Sequence, residues 1–159
     1  MISVIKKSPV VIHQLFFLFA QLMILQMNGI GYSGTLAYVG VVSTFLAVLI
    51  NLRWDIEIMV NNHNALHESL FDSSVTIILM TFIVLFFNTI IGSPLPVYII
   101  LSAIIIAIHE LLVSILFVQK KIYIYSFFRT IPAIALIFFA LVNLEAEIIW
   151  PASFFISVL

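Results

Sequence analysis

Three ionisable side chains, Arg53, Asp55 and Glu57, fall within five positions of the stretch NLRWDIEIMVNN, in a chain with only 8% charged residues. On a helix, Arg53 and Glu57 stand at i, i+4 and can pair. Asp55 would lie nearer a different face, that of Gly40, Thr44, Ala47 and Asn51, a run of small residues suited to close helix packing. Charged groups set in or against an apolar run are functional candidates by default, because lipid does not hydrate them. The plainer reading is that Arg53 anchors a helix end, its charge reaching for the membrane surface. His109 and Glu110 sit in the middle of LSAIIIAIHELLVSILFV. They read either as groups satisfied inside a bundle or as a site for a coupling ion, H+ or Na+. Gln14, Gln21 and Asn28 recur every seven residues. Such a spacing drifts only about 20° per step, so the three make one polar stripe. Buried amides need partners, so the stripe should face another helix or a wet cavity.

Two other patterns carry less. GIGYSG at 29–34 fits the glycine-rich dinucleotide pattern, which requires a strand before it and a helix after it. Here it joins two apolar runs, so the glycines read as a turn. His63 and His67 are i, i+4 with Glu68 following, yet the zinc-protease order fails: the second His position is Phe71, and after His109-Glu110 it is Val113. The stretch NNHNALHESLFDS (61–73) reads as a polar connection. No metal, cofactor or catalytic residue is expected, and the absence of Cys removes disulfides and thiolate chemistry.

The positioning elements follow from composition. Soluble domains carry roughly 25% charged residues. This chain has 64% hydrophobic residues, 15 Phe and a mean hydropathy of +1.30. Its polar side chains are too few to cover an apolar core, so its solvent is expected to be lipid. A net charge of -1 offers no basic field for nucleic acid. A spanning helix needs about 20 apolar residues. Apolar runs at 9–27, 34–52, 74–92, 97–118 and 131–147 predict an all-α, polytopic transmembrane bundle of five spans. A sixth run, 148–159, is too short to cross. The start, MISVIKKSPVVIHQLFFLFA, has no convincing cleavage site and reads as an uncleaved first span. Lys6, Lys7, Arg53, Lys120, Lys121 and Arg129 all fall on one side of an alternating path. The positive-inside bias then puts the N-terminus in the cytoplasm.

From NLRWDIEIMV onward the sequence resembles the polysaccharide-export branch of the multidrug/oligosaccharidyl-lipid/polysaccharide exporter superfamily, the O-antigen and teichoic-acid type flippases. The second span of that family ends in a pattern like L-R-Y-E-x-A-I-x-L-P. Leu52, Arg53 and Ile58 fit it, and Trp54 and Asp55 replace Tyr and Glu. Glu57 stands where a small residue is usual, and Asn61 where Pro is usual. YSGTLAYVGVVSTFLAVLINLR is similar to the family's turn and second span, and QKKIYIYSFFRTIPAIALIFFALV to its basic loop and fifth span. The resemblance implies transport without covalent chemistry, so not an enzyme. Its substrate would be a polyprenyl-pyrophosphate-linked oligosaccharide, moved across a bacterial or archaeal cytoplasmic membrane by alternating access. It also implies that residues 1–159 form an incomplete N-terminal six-helix bundle, which needs the remainder of its own chain. Arg53 is then the candidate for the pyrophosphate, because a guanidinium presents a bidentate fork. Asp55 or Glu57 would hold it, and Gln14, Gln21 and Asn28 would suit sugar hydroxyls. Two other functions compete: a polytopic membrane enzyme of cell-envelope glycan synthesis, for which the turns are too short, and a small accessory membrane protein.

Overall fold

Gly29 divides the longest helix. A computed structural model describes residues 2–52, 58, 66–91, 95–119, 122–142 and 144–158, with side chains from Gln14 onward except at 66, 67, 122 and 123. Among them it contains five helices and no strand: α1 Ile2–Asn51, α2 Leu66–Ile90, α3 Val97–Val118, α4 Ile122–Leu141 and α5 Ala146–Val158. Within α1, Gly29 has φ 82° and ψ 177°, a left-handed conformation that costs glycine little and an L side chain much. We call 2–28 the first arm and 30–51 the second.

The arms fold back on each other. Phe17, in the first arm, has its ring 6.2 Å from that of Trp150, and a Cβ on Gly40, in the second, would lie 3.0 Å from the same indole. At 1.5 Å per residue both positions are roughly 17 to 18 Å from the kink along their arms. Only a reversal brings them to one side chain. The turn is thus tighter than the one expected over GIGYSG (29–34), because helix resumes directly after one glycine.

Side-chain contacts then give the direction of each helix. The Ser43 hydroxyl donates to the Ile99 carbonyl at 3.2 Å, near the start of α3. Further along both helices, Asn51 and Glu110 line one cavity. The second arm and α3 are therefore parallel, with α2 returning between them. Arg129, early in α4, reaches that same cavity, whereas beyond the end of α4 the Leu144 carbonyl accepts from Tyr32 Oη at 2.7 Å, beside the Gly29 turn. So α4 runs back. α5 runs forward again, its Trp150 against Gly40 and its Ser157 against His109 on α3. The path is up-and-down throughout.

The helices α1 to α4 are long and apolar enough to cross a membrane, whereas α5 has 13 residues. Over the most apolar window of each, α3 is 56% buried and α2 only 11%, so α3 is the central helix and α2 the outer one. The outer surface is apolar, with Phe71, Phe82 and Phe86 more than half exposed, which suits acyl chains rather than water. Several hydroxyls are satisfied within their own helices: Ser74 donates to Leu70 O, Ser102 to Tyr98 O and Ser114 to Glu110 O. The turn between α2 and α3 is clasped by Asn88, which accepts from Leu95 N at 2.6 Å and donates to Leu95 O at 3.2 Å.

Several helix limits differ from the apolar runs. α2 begins at Leu66 rather than 74, and α4 at Ile122 rather than 131, while α4 ends at Leu141 and a non-helical step precedes α5. Helix formation needs only that backbone groups pair along the chain, so it extends into the polar flanks SLFDSS and YSFFRT. Pro132 therefore lies inside α4 rather than at its start.

Candidate functional site

The run of small residues on the second arm lets α3, α4 and α5 approach closely. Gly40 and Ala47 are buried, and Asn51 is only 3% exposed. Where the second arm meets α3 and α4, the packing leaves a cavity of about 240 Å³. Thr44, Ala47, Val48 and Asn51 line it from the second arm, Ile106, Ala107 and Glu110 from α3, and Arg129 from α4. An acid, a base, an amide and a hydroxyl thus meet in a bundle whose hydrophobic core is mostly Ile, Leu, Val and Ala. Such groups in a low-dielectric interior interact more strongly than in water, and they mark sites of polar traffic.

Arg129 is held by its own helix. Its Nη1 donates to the Tyr125 hydroxyl one turn earlier at 2.6 Å, and its guanidinium carbon lies 5.8 Å from that ring's centroid. Its Nε is enclosed, with no hydrogen-bond partner among the described residues.

A second space adjoins the first. A groove of about 710 Å³ lies between the two arms of α1 and is lined mostly by Leu, Ile and Val, with Gln21, Ser33 and Trp150 among them. Thr44 and Val48 belong to both linings, so groove and cavity share a wall.

The sequence candidates part company here. His109 and Glu110 are neighbours in sequence but face different elements. His109 is 1% exposed and meets α5, with its Nδ1 2.8 Å from Ser157 Oγ and its ring edge-on to Phe154 at 5.2 Å. Glu110 lines the cavity. In the stripe, Gln14 and Gln21 are exposed, Gln21 on the groove, and Asn28 is half-buried beside the kink. Arg53, Asp55 and Glu57 lie outside the described residues, as do His63, Lys120 and Lys121. Arg129 was missed as a cavity residue, because the sequence places it in a basic loop before the fifth span. The available signal was its position four residues after Tyr125 and three before Pro132, deep within IYIYSFFRTIPAIALIFFAL.

No protein-family model, curated protein or solved structure matches the chain.

Proposed function

We propose that the chain forms the first bundle of a flippase that moves a polyprenyl-pyrophosphate-linked oligosaccharide across a bacterial or archaeal cytoplasmic membrane by alternating access. The observation that carries the reading is the polar cavity of Asn51, Glu110 and Arg129 inside an apolar bundle. It lies at the end of the second arm, two residues before Arg53 of the LRWD stretch whose resemblance first suggested this class. A pyrophosphate leaving water needs cationic partners, and arginine forks supply them bidentately. Sugar hydroxyls need the amides and carboxylates that the same region carries. Nothing in the arrangement calls for bond-breaking chemistry. A proton or Na+ driving the cycle would exchange at Glu110, the ionisable carboxyl on the cavity wall.

Replacing Arg53 by Ala in the chromosomal copy should abolish surface glycan while leaving the protein at its normal level; wild-type glycan output would sink the reading. Within this proposal the chain crosses the membrane five times, α1 twice, and α5 enters it a sixth time. The N-terminus is cytoplasmic, from the placement of Lys and Arg. An alkaline phosphatase fused at position 31 should then be active, and one fused at 62 inactive. The opposite pattern reverses the orientation.

A further inference from the structure

We propose that the first arm of α1 is a pairing surface, and that the first arm of a second copy of this chain lies in the groove between the two arms. The arm carries a seam. Gln14, Leu18, Gln21, Leu25 and Asn28 alternate at spacings of four and three, the spacing that keeps one edge of a helix against another in a left-handed pair. The bundle does not cover that edge: Gln14, Leu18, Gln21 and Leu25 are exposed, and Asn28, beside the kink, is half-buried. Leu18, Gln21 and Leu25 line the groove. The arm meets the bundle along a different edge, through the buried Ala20 and Ile24 and through Phe17, whose ring lies near Trp150 and Phe154.

The amides favour a helix over acyl chains as the cover. Gln14 and Gln21 lie within the apolar run 9–27, at least five residues, or about 7.5 Å, from either end of it. Gln26 falls on another edge, one residue from the end of that run. Other spans show a purely apolar surface at such depth. From Val75 to Phe87 of α2, and from Ile124 to Leu141 of α4, every exposed residue is aliphatic or aromatic. A carboxamide carries two N–H donors and a carbonyl acceptor, and hydrocarbon offers a partner to neither. Another helix does. The opposite wall of the groove suits one, since Ser33, Ala37 and Thr44 of the second arm are small and let a backbone come close. The groove follows that arm from Ser33 to Val48, about 22 Å of helix rise, or roughly four turns.

The seam also selects the helix. An amide is donor and acceptor at once, so identical amides complement each other. No Lys, Arg, Asp or Glu within 14–28 repels a like copy. Two copies inserted in the same sense are related by a two-fold axis along the membrane normal, which sets their first arms parallel. Each seam residue then faces its own counterpart, Gln14 to Gln14 and Gln21 to Gln21, with Leu18 and Leu25 packed between them. The pairing does not depend on what the bundle moves. Arg53→Ala cells that keep their glycan would remove the transport reading and leave the pairing standing.

The chain has no cysteine, so single ones report contacts without background. Leu18→Cys, Leu25→Cys and Phe19→Cys each replace an exposed residue, which keeps the fold out of the comparison. The full chain is oxidised with copper phenanthroline in the membranes of cells that make it. A disulfide forms only where two Cα atoms come within about 7 Å. Leu18→Cys and Leu25→Cys should run as dimers of this chain on non-reducing gels, and Phe19→Cys, on the far edge, as a monomer. Single-molecule photobleaching in liposomes of increasing dilution then measures the strength. Replacing Gln14 and Gln21 together by Leu should raise the mole fraction for half-dissociation by about tenfold, the size of two interhelical hydrogen bonds. Replacing both by Asn should recover part of that loss. Monomers at every dilution overturn the proposal and leave the groove to lipid. Cross-linking as strong at Phe19→Cys as on the seam, or a dimer indifferent to the loss of both amides, overturns it too. A cross-linked product heavier than the monomer but not twice its mass means a different protein, and rapid labelling of Leu25→Cys by a charged maleimide means a water-filled groove; either result sinks the pairing.

Discussion

Gly40→Leu is expected to destabilise the bundle by about 1–3 kcal/mol, the usual cost of forcing extra methylenes into a packed core. At Gly40 a Cβ would already stand 3.0, 3.1 and 3.2 Å from three atoms of the Trp150 indole. That indole cannot easily retreat, for it is itself buried, with Phe17 at 6.2 Å and Phe154 at 5.7 Å between ring centroids. Gly40→Ala should be close to neutral. Its gain in helix propensity of about 1 kcal/mol is offset by the same tight approach. Thermal unfolding of the purified chain in detergent micelles separates the two cases. Trp150→Phe, which makes room, should rescue part of the Leu variant's loss, because neighbours that share one contact are energetically coupled. A Leu variant that melts with the wild type would mean that α1 and α5 do not pack as described.

Gly40 also shows how far the fold could be read from the sequence. The residues Gly40, Thr44, Ala47 and Asn51 fall on one helical face by spacing alone, and the structure packs that face against α3, α4 and α5. The up-and-down path was equally legible, because each apolar run of spanning length must reverse before the next. The site was less so. Thr44 and Asn51 looked like packing residues, yet where the second arm, α3 and α4 diverge they border a cavity. Arg129 looked like a loop cation, since apolar runs report where lipid begins and not where helix begins. Its neighbours Asn51 and Glu110 lie 78 and 19 positions earlier in the sequence, and such distances are joined only by tertiary packing. Local periodicity gives the faces of helices. It does not give the places where three faces fail to meet.

The adjacent pair His109 and Glu110 should separate by experiment into a packing residue and a cavity residue. Ser157 Oγ donates to the Phe154 carbonyl at 2.5 Å. A hydroxyl has one proton, so toward His109 it is the acceptor and the ring's Nδ1–H the donor, an assignment made from the hydrogen-bond pattern. Hydrogen bonds between membrane helices average only about 0.6 kcal/mol. Removing a large buried side chain costs about 2–5 kcal/mol, because a cavity remains. Packing therefore outweighs the hydrogen bond here. Ser157→Ala should lower stability slightly, and His109→Phe, which keeps the ring against Phe154, by a comparable amount. His109→Ala should lower it severalfold more. The same variants decide the functional question. Glu110→Gln keeps shape and hydrogen-bonding capacity but cannot exchange a proton or hold a cation by charge, so under the transport proposal glycan export should fall sharply at unchanged protein level. His109→Phe should leave export near normal. If export fails in the His109→Phe strain while the purified variant remains stable, the imidazole itself takes part in coupling. The contact between α3 and α5 would then be where the ion acts, and Glu110 would only shape the cavity beside it.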